Sequence, residues 1–280
     1  MGIGCSMLNE LSLRAAPMQP LFGNVQLSNR HQASYLISQG TRFSHFARLN
    51  ARRIILGCRD LQKDLASFAS VKRFCQRAED QLDSIDVFVA NAGIQTAEFE
   101  VAEGYERQIA VNVLSTFLMT LLLLPVLRRS RTTTHVTIVA SNAHKYVTAL
   151  PQPPVFEGLK GADNMMMRYG TSKLLVVLAA RELAQRMDAT KDGNVILNMV
   201  DPGLCKSQLF REARFPVSWI LGVMLPLVGR TAEMGCRALV AAASADASTH
   251  GGEGAAAQKR VFEELMGILP GISRNIITYI

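Results

Sequence analysis

Short apolar runs alternate along this chain with longer stretches whose apolar residues recur at helical spacing, the order expected of strands alternating with helices. Arg53-Ile54-Ile55-Leu56-Gly57-Cys58 is a β-branched run that predicts a strand over 53–58. Residues 65–81 then place Leu65, Phe68, Val71 and Phe74 on one helical face. A second strand is expected over 86–90, closed by Asn91-Ala92-Gly93, and a long helix over 103–129, very apolar in its second half. His135-Val136-Thr137-Ile138-Val139-Ala140 reads as a strand buried on both faces. A loop rich in proline and glycine leads to a helix over 165–187, and Val195 to Val200 forms a further strand that ends at Asp201-Pro202-Gly203.

Strand, helix, strand, helix in this order predicts an α/β fold: a doubly wound, mostly parallel, Rossmann-like sheet in a single domain. Strands 53–58, 86–90, 135–140 and 195–200 belong at its centre. Residues 1–32 carry no sustained periodicity and read as an irregular N-terminal segment, leaving 33–280 for the domain. Ala241 to Ala257 is a stretch of small residues without a packing pattern, and no internal repeat is present.

Composition excludes several classes. The chain has 280 residues, 49% hydrophobic and 19% charged, which suits a globular enzyme rather than a disordered or fibrous protein. Its net charge is +7, with arginines gathered at Arg42, Arg48, Arg52, Arg53 and Arg59 and again at Arg128, Arg129 and Arg131. These fit a solvated basic face or the neighbourhood of an anionic cofactor. Apart from Phe43 and Phe46 between Arg42 and Arg48 no aromatic residue lies among them, and they form no aromatic-interleaved basic stripe, so nucleic acid is not expected as a partner. The five cysteines show no paired spacing, against both a disulfide framework and a metal site, and a reducing, cytoplasmic setting is expected.

The apolar runs 113–127 and 215–229 are interrupted and fall short of the ~20 residues of a spanning helix. Met1-Gly2-Ile3-Gly4-Cys5-Ser6 matches a myristoylation pattern, so weak or no membrane association is expected, with peripheral attachment through Gly2, Cys5 and 215–229 as an alternative.

Tyr169 and Lys173 stand four residues apart on the predicted helix 165–187 and so share a face. An ammonium beside a phenol favours the phenolate, so the pair is suited to moving a proton between a carbonyl and its alcohol. Alone the spacing is common. Its weight comes from the order of Asn91-Ala92-Gly93, Asn112, Ser141, Tyr169-Gly170-Thr171-Ser172-Lys173 and Pro202-Gly203 along the chain.

In that order the sequence resembles the short-chain dehydrogenase/reductase family, in particular its fungal retinol-dehydrogenase-like branch, over roughly residues 45–270. The resemblance implies that Tyr169 is the general acid/base and that Lys173 tunes it and binds the nicotinamide ribose. It implies that Ser141 bonds the substrate carbonyl and that Asn112 holds a proton-relay water. Asn91, Ala92, Gly93, Pro202, Gly203 and Ser207 would line the cofactor. Arg59 would meet a 2′-phosphate, favouring NADP over NAD, and Asp64 would contact adenine. An apolar lid is expected near 208–230, and with it a hydrophobic small-molecule substrate. Family members also suggest a homo-oligomer and, in the fungal branch, secondary metabolism.

The pattern breaks in the N-terminal half. Dinucleotide folds need a glycine-rich turn after their first strand, and a gapless extension puts those glycines at 33, 37 and 39, where Ala33, Ile37 and Gln39 stand. Only three residues separate Asp60 from Asp64, so the family's third strand is missing and 53–58 is expected near a sheet edge. A further shortening falls near His250 to Glu253. An NADP(H)-linked oxidoreductase acting on a hydrophobic carbonyl or alcohol is thus set against a catalytically impaired binding or scaffold protein of the same fold, or a chain translated from shifted exon boundaries.

Overall fold

The computed structural model describes residues 9–11, 34–37, 53–56, 65–189, 194–205, 209, 217–243 and 255–279. Its main sheet has six strands: β1 (Asn9–Leu11), β2 (Ser34–Ile37), β3 (Arg53–Leu56), β4 (Val87–Ala90), β7 (Thr134–Val139) and β8 (Val195–Val200). They lie in the order β1-β3-β2-β4-β7-β8, and all neighbours are parallel except β1, which runs antiparallel to β3. The four strands expected at the centre are present and parallel.

Two expectations change at the N-terminal side. The segment 1–32, expected to be irregular, contributes β1, which pairs Asn9 with Leu56 and Leu11 with Ile54. Strand β3 is therefore covered on the side where its usual neighbour is missing, and no strand lies between Leu56 and Val87 among the described residues. A three-residue strand is too short for periodicity to reveal; it forms because an open edge offers unpaired backbone groups.

Ile37 is likewise misplaced by the gapless alignment. It is the last residue of β2 and pairs with Leu56 on one side and Val89 on the other, so it is a strand residue and not a turn residue. Residues 38–40, with Gln39 and Gly40, lie outside the described residues, as does Ala33.

Helix α1 (Phe68–Gln81) is capped by Ser67, whose hydroxyl accepts from the Ser70 N–H, and its Phe68, Val71, Phe74 and Cys75 are buried. The helix expected over 103–129 begins later, because Val101–Ala102 (β5) and Tyr105–Glu106 (β6) form a small hairpin first. Its two-residue turn, Glu103-Gly104, has φ of 53° and 82°, the left-handed pair that a tight hairpin requires. Helix α2 (Arg107–Arg128) then starts under a cap from Glu106, whose carboxylate accepts from Gln108 and Ile109 N–H. Residues Ala110–Ser115 within it are wound as a π-helix. It is long and apolar enough to cross a membrane, yet 89% of its apolar window is buried inside the protein, where it forms the core.

Helix α3 (Met165–Ala189) and the C-terminal helices α4 (Val217–Val228), α5 (Ala232–Ala243) and α6 (Ala255–Ile272) complete the described elements. Every residue of β4 and β7 is buried, which requires cover on both faces. Phe88, Ala90, Val136, Ile138, Val195 and Leu197 join the hydrophobic cluster formed with α1, α2 and α3. The alternating positions face the other way: Thr137 donates to Asn198 Oδ1 at 3.0 Å, and Asn198 donates to the Ala242 carbonyl of α5 at 2.6 Å. This is the doubly wound arrangement.

Candidate active site

In parallel α/β sheets the crevice lies beyond the carboxyl ends of the strands, and three strand ends meet there in this chain. Strand β4 runs into Asn91-Ala92-Gly93, β7 into Ser141 and β8 into Asp201-Pro202-Gly203. Helix α3 crosses behind them and supplies Tyr169 and Lys173.

The segment after β4 is bracketed by one side chain. Asn112 accepts from the Ile94 N–H at 2.8 Å through Oδ1 and donates to the Ile94 carbonyl at 2.9 Å and to Ser172 Oγ at 3.0 Å through Nδ2. Both Nδ2 hydrogens and one lone pair of Oδ1 are therefore engaged, and the residue sits within the π-wound stretch Ala110–Ser115. Gly93 lies against the pair of polar groups: a Cβ there would stand 3.4 Å from Asn112 Oδ1 and 3.6 Å from Lys173 Nζ.

Ser141 is extended, with φ −161° and ψ 142°, and its hydroxyl accepts from the Ala143 N–H, capping the 3-10 turn Asn142–Tyr146. The same hydroxyl hydrogen-bonds Tyr169. Gly170 lets this turn approach α3: a Cβ at 170 would come within 2.9 Å of the Ala143 carbonyl oxygen and 3.2 Å of Val147. Ser141 and Tyr169 are thus brought together by a glycine contact on the next residue.

Lys173 is 4% exposed and donates to the Val139 carbonyl at 2.7 Å. Its Nζ lies 5.8 Å from the centre of the Tyr169 ring. Burial lowers its pKa from 10.5 to about 8, with the Asp201 carboxylate acting in the opposite direction. Tyr169 differs from expectation. Burial raises its pKa to about 12, the Ser141 hydrogen bond pulls it down, and Asp201 adds to the rise. A buried phenol loses more by ionising out of water than it gains from a neighbouring hydroxyl, so without ligands it is a protonated acid.

Gly203 has φ of +76°, which favours glycine, and Arg230 covers it, with Cδ, Nε and Cζ at 3.3 to 3.5 Å from where a Cβ would sit. These features fit the nicotinamide half of a dinucleotide: glycines at two strand ends, and a lysine and a tyrosine between them. Arg59, Asp64 and Ser207 lie outside the described residues, as does the turn that would meet the pyrophosphate.

Helix α4 falls within the segment 208–230 where a lid is expected, and it exposes Trp219 (66%), Val223, Met224 and Leu227 (78%). Two side chains that sequence reasoning passed over support the site from behind. Arg168 is 2% exposed and donates to the carbonyls of Leu159, Gly161 and Asp163, fixing the loop beside Tyr169. His144 Nδ1 sits 2.6 Å from the Ser141 carbonyl oxygen. An arginine directly before Tyr169 in an apolar helix was the available signal for the first.

The sequence model of the short chain dehydrogenase family matches residues 51–216, beginning past positions 33–40 where the glycine turn was sought. Short chain dehydrogenase FGM9 of Gibberella zeae is 31% identical over 283 aligned positions, covering 84% of this chain and 83% of that protein. Short chain dehydrogenase atnD of Emericella nidulans is 36% identical over 242, covering 74% and 76%. Human retinol dehydrogenase 14 is 36% identical over 157, covering 55% of this chain and 44% of its own. Among solved structures, the 3-alpha-hydroxysteroid dehydrogenase of Pseudomonas sp. B-0831 complexed with NADH has the same fold, with a TM-score of 0.60 at 20% identity over 75% of this chain and 89% of that one. The strand-end crevice, the Ser141–Tyr169–Lys173 cluster and these relatives agree: the chain belongs to the short-chain dehydrogenase/reductase family, of the fungal retinol-dehydrogenase-like kind, and is an NAD(P)-dependent oxidoreductase.

Proposed function

We propose that this chain reduces a hydrophobic ketone or aldehyde with NADPH, and that Tyr169 is the proton donor. The observation that carries this reading is the buried Tyr169 hydrogen-bonded to Ser141, with Lys173 one turn further along the helix and burial favouring the neutral phenol. A carbonyl oxygen placed between the two hydroxyls is polarised by Ser141 and receives the Tyr169 proton as the C–O double bond is reduced. The bound nicotinamide would supply the hydride to the carbonyl carbon. The phenolate left on Tyr169 is stabilised by the Lys173 ammonium and by Ser141, and solvent restores the proton.

The exposed apolar side chains of α4 support a hydrophobic substrate. The arginines over 42–59 support NADPH over NADH. Four fungal short-chain dehydrogenases among the relatives support a place in fungal secondary metabolism, and the unpaired spacing of the five cysteines supports a reducing, cytoplasmic setting.

The test is NADPH titration and turnover on a panel of apolar ketones, with Tyr169→Phe as the variant. That substitution removes only the hydroxyl, so turnover should fall by at least ~100-fold while NADPH affinity is kept. Trp219 is the single tryptophan, and its fluorescence should respond to the ketones that are turned over. A chain that neither binds NADPH nor reduces any ketone is the binding or scaffold protein instead.

A further inference from the structure

We propose that Asp201 is a positioning residue of this active site: its carboxylate ties the Ser141 turn to the Pro202-Gly203 turn and sets a negative charge at the strand end where Tyr169 and Lys173 meet. The role of Tyr169 as the acid rests on the reductase reading above; the placement of Asp201 does not.

The sheet puts Asp201 where both turns begin. Val139 pairs with Val200 in parallel register, and the Ala140 N–H donates to the Val200 carbonyl at 2.8 Å, so Ser141 and Asp201 leave the sheet side by side. Oδ2 of Asp201 accepts from the Asn142 N–H at 3.0 Å, and Oδ1 accepts from the Gly203 N–H at 2.9 Å. One carboxylate thereby holds the residue after Ser141, which faces the substrate oxygen, to the glycine of the turn that faces the nicotinamide. A neutral amide replaces one of these oxygens with an NH2 donor, so the N–H group that meets that position loses its acceptor.

The charge has a second effect. Around Lys173 the structure places the Val139 carbonyl, the uncharged Asn112 and Gly93, and the field of Asp201. Around Tyr169 the 3-10 turn brings His144 and Lys145, and Arg230 stands over Gly203. Asp201 acts on both members of the pair: it opposes the loss of the Lys173 proton that burial promotes, and it opposes ionisation of Tyr169. Both effects favour the state from which reduction starts, a neutral phenol beside a charged ammonium.

Asp201→Asn and Asp201→Glu test the assignment. The Lys173 Nζ resonance in protein carrying ¹⁵N-lysine, assigned by its loss in Lys173→Met, gives the titration of Lys173 without substrate or cofactor. In Asp201→Asn this step should move from about 8 to lower pH by about half a unit or more. Asp201→Glu should restore it toward the original. In ketone reduction, Asp201→Asn should lose kcat on the alkaline side while keeping most of it at mildly acidic pH, where Lys173 is charged in either protein. A Lys173 step that does not move in a folded Asp201→Asn protein, or that moves equally in His144→Gln, overturns the proposal. So does a loss of kcat of equal size at every pH. Absence of ketone reduction in all the proteins would remove the reductase reading, and the resonance would still decide the role of Asp201.

Discussion

Lys173 shows at the level of a single residue how activity is set against stability. Its pKa in the folded protein is about 8, against an ordinary 10.5, so below pH 8 both folded and unfolded chains hold the proton and burying the charge costs stability in full. Between 8 and 10.5 the unfolded chain binds more protons than the folded one, and that cost is relieved as pH rises. Such a shift is worth about 3 kcal/mol, while an orphaned Val139 carbonyl would return about 1–2 kcal/mol of cost. Lys173→Met should therefore be inactive but more stable than the natural protein by about 1–2 kcal/mol at neutral pH. Denaturant unfolding should show this advantage shrinking as pH rises toward 10.5. A variant less stable at neutral pH would mean that the hydrogen bond to Val139 outweighs the burial of the charge. The pairing of Tyr169 with Lys173 was legible from their four-residue spacing, but the direction of the tyrosine's shift was not, because burial is a property of the packed site.

Among the elements, β2 was the hardest to read. Ser34 to Ile37 is too short to establish a period, and a gapless alignment assigned Ile37 to the missing turn. Pairing settles the matter: Ile37 lies between Leu56 and Val89 in the middle of the parallel sheet. Replacing it with glycine, as repair of a phosphate-binding turn would suggest, should lower stability by at least ~1 kcal/mol, since glycine weakens a strand interior. It should bring no gain in NADPH affinity. Thermal unfolding and NADPH titration of Ile37→Gly check both halves, and tighter NADPH binding would return Ile37 to the turn. Helices α1, α2 and α3 were readable by contrast, because each is long enough for apolar spacing to repeat. The start of α2 was not, since Glu103-Gly104 makes a hairpin whose left-handed turn is a matter of two residues.

At the scale of the whole molecule, the sheet is bordered on one side by a strand from the N-terminal segment. Strand β1 stands where a parallel neighbour of β3 would be, and β8 is the opposite edge among the described residues. Removing residues 1–12 should leave the parallel core intact and expose the β3 backbone, so self-association should appear as concentration is raised. Light scattering of the full and shortened proteins tests this; equal monodispersity would show that β1 protects nothing.

The sequence by itself determined the alternation of strands and helices and the parallel core, and it singled out Ser141, Tyr169, Lys173 and Asn112 as candidates, because periodicity and ordered motifs are local properties. Only the tertiary structure decided that the Asn112 amide is engaged by Ile94 and Ser172, that burial raises the Tyr169 pKa instead of lowering it, and that Asp201 spans two turns. Each of these depends on residues 18 or more positions apart meeting at the end of a sheet, or on the exclusion of water from a packed site. Neither is encoded in any stretch of the chain short enough to be read as a pattern.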